Sequence, residues 1–265
     1  MNIPEIADRI KVVHSTSVTP FKFVYNLLER AKADRQHIVL PEGSEGRILQ
    51  ASEILLRRQV VDITLLGKPE DIRQKASALG LNLEGINIVD PMQAEWLAQY
   101  ALIYYEMRKH KGISEKMARD TLTDVSYFGT MMVSKGAADG MVSGAVHTTG
   151  ETIRPALQIH KTLPGVHKAA GVYLLLFEER MLFVADTTVN QDPSAEDLAD
   201  IAWLAGQVAH NYFAVEPRIA LLSYSNFGSN IDERSSKVRE AAEIARSRWP
   251  ELVIEGEMQA DTAVE

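Results

Sequence analysis

Residues 142–150 read VSGAVHTTG, a run of small and hydroxyl-bearing residues around one histidine. Small side chains let backbone N–H groups approach a ligand, and Thr148 and Thr149 add hydroxyl donors. A helix beginning after Thr149 would leave N–H groups unpaired at its start, which favours an anion there. Arg154 then falls one turn into that helix, and a guanidinium can grip phosphate through two parallel hydrogen bonds. Ser143, Gly144, His147, Thr148, Thr149 and Arg154 form a candidate phosphate site on this pattern. A polar loop carrying a surface arginine has the same composition, and no nucleotide P-loop is present.

Two further segments carry polar chemistry. Residues 106–112 (EMRKHKG) cluster Arg108, Lys109, His110 and Lys111 at the end of an expected helix. Such cations complement the helix dipole, and the same patch can receive a phosphorylated ligand. Residues 221–230 (LLSYSNFGSN) read as a strand opening into a loop, where Ser223 and Ser225 can bind a ligand or cap the next element. His147 can serve as an acid or base, although it is one of seven histidines. The acidic run Asp192, Glu196, Asp197 and Asp200 reads most simply as a solvated helix face. Gly43 and Gly46 lack the spacing of a dinucleotide fingerprint, and no histidine–carboxylate pattern suggests a metal site.

These residues need elements to hold them. Helical spacing is expected over 21–32, 46–58, 69–80, 94–111, 114–123, 195–211 and 235–249. Residues 46–58 bury Ile48, Leu49, Ile54 and Leu55 on this reading. Ser194 with Asp197 three places later marks a helix start. Strands are expected over 37–41, 62–67, 86–89, 138–144, 218–225 and 252–255, with 172–177 a buried strand. Residues 170–177 and 180–186 can pair as a hairpin across 178–179. Strands alternating with helices indicate a mostly parallel sheet, whose ligands sit beyond the carboxyl ends of the strands. The expected organisation is a lead-in over 1–20, an α/β domain over 21–165 and a second over 166–265.

The bulk properties narrow the function classes. The formal charge of −8 argues against a nucleic-acid partner, while 28 lysines and arginines leave room for a local basic pocket. With no cysteine, disulfides, thiolate metal sites and a cysteine nucleophile are excluded. No apolar run approaches the ~18 residues of a membrane helix. The charged first residues lack a signal-peptide core, so a cytoplasmic location is expected.

Taken together, HIVLPEGSEGRILQA (37–51), IYYEMRKHKGIS (103–114), YFGTMMVSKGAADGMVSGAVHTTGETIRPALQI (127–159), RIALLSYSNFG (218–228) and IEGEMQADTAV (254–264) resemble the phosphate acetyltransferase family. They occur in the family's order and cover most of the chain from Thr19 onward. The resemblance implies two α/β domains with mostly parallel sheets and an interdomain cleft. It implies the reaction acetyl-CoA + phosphate ⇌ CoA + acetyl phosphate, by direct transfer between bound substrates and with no tightly bound cofactor. By resemblance, Arg154 is the arginine of the acyl-phosphate site and Arg108 contacts coenzyme A. Arg47 in GRILQA matches another arginine near the site, and Ser223, Tyr224 and Ser225 match the loop lining the cleft from the second domain. Small-molecule substrates and a homo-oligomer are implied, with no nucleic acid or membrane.

The family pattern also has a late Ser-Arg pair and a following Asp, the proposed base for the CoA thiol. Nothing in residues 1–265 corresponds, and Ser247-Arg248 lacks the matching surroundings. The resemblance therefore implies an incomplete second domain and puts the activity of the chain as given in question. Residues 1–20 resemble the linker before this domain in longer members. Two other readings stand beside this one: an acetyl-CoA-binding regulatory domain like that fused to large malic enzymes, which SNFGS (225–229) also resembles, and a butyryl-specific relative. HTTGETIRPALQ keeps the transferase pattern where the malic-enzyme domains depart from it.

Overall fold

A computed structural model describes residues 20–164, 166–178 and 180–265. Residues 1–19 of the lead-in expected over 1–20, and Glu179 of the expected hairpin turn, lie outside the described residues. The described residues divide into two compact units, Val24–Lys161 and Thr162–Glu265, the second joined by Pro20–Phe23. Among the described residues no helix is long and apolar enough to cross a membrane.

The first unit is built on β1 (Gln36–Leu40), β2 (Val61–Leu66), β3 (Asn87–Val89) and β4 (Gly140–Met141), in the order β3-β2-β1-β4 with every pairing parallel. Successive strand residues point to opposite faces. Leu40 and Leu65 accordingly enter one core with Leu49 and Ile72. Val39 and Leu66 enter another with Tyr100, Tyr104, Phe128 and Met131. A sheet covered on both faces explains why β1 and β2 read as near-continuous apolar runs.

α1 (Pro20–Ala33), α2 (Gly46–Arg58), α3 (Pro69–Ala78), α4 (Leu97–Arg108) and α5 (Glu115–Thr121) form where helical spacing was expected, with a 3₁₀ turn over Lys109–Lys111. Burial departs from apolar spacing in two of them. α1 buries none of its residues, and in α2 Ile54 stays exposed while Ser52 is buried, its hydroxyl returned to the Ile48 carbonyl. α6 (Val125–Ser134) was not anticipated, and the expected strand 138–144 shrinks to the two residues of β4. α7 (Thr149–Ile159) begins where Thr148 and Glu151 form a reciprocal cap.

The second unit holds the antiparallel pair β5 (Val172–Leu176) and β6 (Met181–Ala185), and the parallel pair β7 (Arg218–Leu222) and β8 (Val253–Met258). β5 is not the buried strand expected: it alternates half-buried and exposed, with Tyr173 and Leu175 on the open face. α8 (Ala195–Phe213) and α9 (Glu233–Arg248) approach closely because their contact is made of alanines, with Ala199, Ala202, Ala241, Ala242 and Ala245 all buried. The short α10 (Ala260–Val264) follows β8. The acidic run is not a plain solvated face. Asp197 closes the Ser194 cap, Asp192 pairs with Lys237, and buried Asp200 meets Arg248 at 3.0 Å.

Candidate active site

β1 and β4 are parallel neighbours, so the residues after each emerge side by side at the carboxyl edge of the sheet. Glu42 follows β1 and the turn 143–147 follows β4. The Glu42 side chain is buried and accepts four consecutive backbone N–H groups. Gly144 (3.1 Å) and Ala145 (2.8 Å) donate to Oε2, and Val146 and His147 (both 2.7 Å) donate to Oε1. Gly144 sits at φ +118°, which a side chain would resist. Burial pushes the Glu42 carboxyl up, and the four N–H donors outweigh it, holding the group below the usual carboxylate range. This corrects the expectation that the turn's backbone donors are open to a ligand: those of 144–147 are satisfied from within.

His147 reaches the same carboxylate, with Nδ1 3.3 Å from Glu42 Oε1, 3.2 Å from Ser143 Oγ and 3.4 Å from Ser126 Oγ. Arg47 braces the turn from outside, donating from Nη2 to the Ala145 carbonyl at 2.6 Å and from Nε to Glu45 at 2.8 Å. Thr148 is taken up by the helix cap. Its hydroxyl donates to Glu151 Oε2 at 2.8 Å and accepts from the Glu151 N–H at 3.3 Å, so only Thr149 remains as the free hydroxyl of the expected pair.

Arg108 and Arg154 come from different helices, and a polar link joins those two helices. The Tyr104 hydroxyl adjoins the Arg108 guanidinium and donates to Gln158 Oε1 at 2.6 Å. Gln158 lies four residues after Arg154, on the same face of α7. The Tyr127 hydroxyl also donates to Gln158, at 3.2 Å. Arg154 is exposed, and the Arg108 Nε is buried with no hydrogen-bond partner among the described residues. Neither guanidinium forms an ion pair among the described residues.

In the second unit, Ser223, Tyr224 and Ser225 follow β7. Ser225 is buried and spent internally: its hydroxyl donates to Glu257 Oε1 at 2.9 Å and accepts the Asn230 N–H at 3.1 Å. Its hydroxyl is thus engaged within the loop, the other of the two uses expected of it. Ser223 is half-buried and Tyr224 exposed. Glu257 is the second buried carboxylate that sequence reasoning missed. Arg239 clamps it, Nε to Oε2 at 2.9 Å and Nη2 to Oε1 at 3.0 Å, and Gly228 N–H adds 2.9 Å. These contacts, led by Arg239, bring its pKa down to about 2 against the burial that opposes them. A strand-end acid beside glycine was a weak signal for Glu42, and Glu257 had none.

The Phosphate acetyl/butaryl transferase family model matches residues 22–265, and the chain belongs to that family. The phosphate acetyltransferase of Synechocystis sp. is 47% identical over 263 residues, covering 98% of this chain and 38% of that protein. The one from Nitratidesulfovibrio vulgaris is 47% identical over 261 residues, covering 98% of this chain and 37% of that protein. The chain thus spans little more than a third of those relatives' length. Among solved structures, a phosphotransacetylase from Streptococcus pyogenes superposes with a TM-score of 0.84 at 36% identity, covering 93% of this chain and 77% of that one. EutD phosphotransacetylase from Staphylococcus aureus gives 0.82 at 34%, covering 94% and 76%.

Proposed function

We propose that this chain works in phosphate acetyl transfer, acetyl-CoA + phosphate ⇌ CoA + acetyl phosphate, and that its Val24–Lys161 unit holds the phosphate-bearing groups. The observation that carries this is the Tyr104–Gln158 bond, which ties the helix ending at Arg108 to the helix carrying Arg154, with neither guanidinium in an ion pair among the described residues. Exposed Arg154 stands one turn after Thr149, where an acyl phosphate would meet a guanidinium and a helix start together. Arg108, with a donor still unpaired, suits a phosphate of coenzyme A.

In the acetyl-CoA-forming direction, the CoA thiolate, its proton given up to solvent, attacks the carbonyl carbon of acetyl phosphate, and the C–O bond to phosphate breaks with its electron pair onto the departing phosphate oxygen. Negative charge grows on the carbonyl oxygen and on phosphate. A pre-placed arginine stabilises it without reorganising. Holding both substrates at once supplies proximity. The acetyl rather than butyryl preference rests on the names carried by relatives 42–47% identical to this chain. A homo-oligomer is part of the same reading, supported by apolar side chains left in solvent such as Ile231.

The late Ser-Arg and Asp of the family pattern have no counterpart in residues 1–265, so binding and turnover are measured together. Calorimetry with CoA and inorganic phosphate is expected to show binding to both, with CoA weakened by Arg108→Ala. CoA release from acetyl-CoA, followed with a thiol reagent that finds no cysteine in the protein, is expected to require phosphate. A chain that binds neither CoA nor phosphate sinks the reading.

A further inference from the structure

Three oxygens surround His147 Nδ1: Glu42 Oε1, Ser143 Oγ and Ser126 Oγ. The two hydroxyls can donate or accept, so they suit either tautomer. The Glu42 carboxylate can only accept, and four N–H donors keep it ionised. A lone pair on Nδ1 would face that anion and be repelled. The proton of a neutral His147 therefore sits on Nδ1, and Nε2 carries the lone pair. No hydrogen bond reaches Nε2 among the described residues. The nitrogen belongs to a half-buried ring on the turn that leads into α7 and Arg154.

A site for a phosphate dianion usually offers donors alone. Here the turn that leads to Arg154 also carries an acceptor, and an acceptor is useful only to an anion that still carries a proton. Hydrogen phosphate has a P–OH at neutral pH, and sulfate has no proton to give. We propose that the Glu42–His147 pair reads this proton: Glu42 is a positioning residue that fixes the Nδ1–H tautomer, and His147 Nε2 accepts the P–OH hydrogen bond of a phosphate held by Arg154. This selects phosphate over sulfate by leaving sulfate with an acceptor facing an acceptor, a mismatch that a buried or half-buried site penalises. The inference rests on the phosphate-holding role given above to the first unit.

Two measurements on the full chain test it. Imidazole ¹⁵N spectra at mildly alkaline pH are expected to show His147 with a pyrrole-type Nδ1 and a pyridine-type Nε2, and Glu42→Gln is expected to abolish that bias. A His147 protonated on Nε2 in the wild type, or a tautomer unmoved in Glu42→Gln, overturns the assignment of Glu42. Calorimetry with inorganic phosphate and with sulfate is expected to show about a tenfold preference for phosphate, the worth of one hydrogen bond. His147→Asn keeps a donor toward Glu42 and removes Nε2, and its preference is expected to fall to within about twofold through weaker phosphate binding alone. Equal binding of the two anions by the wild type, or an unchanged preference in His147→Asn, overturns the proton-reading role. Failure of the wild type to bind phosphate at all instead removes the phosphate-holding reading on which it stands.

Discussion

The Tyr104 hydroxyl donates to Gln158 Oε1 at 2.6 Å, and that bond ties the helix ending at Arg108 to the helix carrying Arg154. Tyr104 is buried, so its phenol has few alternatives, and burial pushes its pKa up. Tyr104→Phe leaves Gln158 with Tyr127 and is expected to cost about 1 kcal/mol in urea unfolding. CoA affinity is expected to drop several-fold, because Arg108 loses the hydroxyl beside it. Wild-type affinity in this variant would separate the link from ligand binding.

Arg154 makes the sharpest kinetic prediction. Where turnover is measurable, Arg154→Ala is expected to lower it at least tenfold, a loss of ~1.4 kcal/mol or more in transition-state stabilisation. Arg154→Lys keeps the charge and loses the paired geometry, so only partial recovery is expected. Steady-state kinetics unchanged in the alanine variant would take Arg154 out of the reaction.

Glu257 and Asp186 make stability depend on acid. Asp186 collects N–H donors from Gly171, Thr188 and Asn190 against the burial that raises it, and its pKa falls to about 2 from an ordinary 3.8. Glu257 falls to about 2 from 4.5. Both folded values lie below the unfolded ones. Their stabilisation is complete above about pH 4.5 and is lost as the pH falls toward 2. Glu257→Gln is expected to cost about 2–3 kcal/mol at neutral pH, less than a fully buried pair because Arg239 stays one-third exposed, and to flatten the acid limb of urea midpoints against pH. An acid limb as steep as in the wild type would clear Glu257 of that role.

Gly43 has no room to grow. A Cβ there would lie 2.5 Å from the Leu66 carbonyl oxygen and 3.0 Å from Ile72 Cδ1. Gly43→Ala must displace backbone, and about 1–3 kcal/mol of destabilisation is expected, read from the thermal midpoint. Because Glu42 is the preceding residue, the ¹⁵N-labelled turn 144–147 is expected to shift with it.

Local signals carried much of the organisation. Ser194 with Asp197 and Thr148 with Glu151 are caps written within four residues, and both form. The hairpin of β5 and β6 is equally local. α6 escaped because FGTMM is buried on every side, so no amphipathic period marks it; Asp124, which caps its start, was the available cue. The candidate site was legible as residue types, and its internal wiring was not. Nothing near Glu42 announces donors 102 to 105 positions later, and Ser225 meets Glu257 across 32. The misreading of the turn's N–H groups has a physical cause. A loop rich in donors is equally suited to an outside anion and to a carboxylate of its own chain.

The reach of Glu42 also bears on how the molecule comes into being. A contact spanning a hundred residues forms only after the loop between its ends has closed, which slows folding and places such contacts late. The 143–147 turn donates four backbone hydrogen bonds to Glu42, which comes within reach when β1 and β4 lie side by side. A nascent or partly melted chain therefore carries the histidine and arginine in sequence but not in register, and competence for ligand arrives together with completion of the parallel sheet rather than before it.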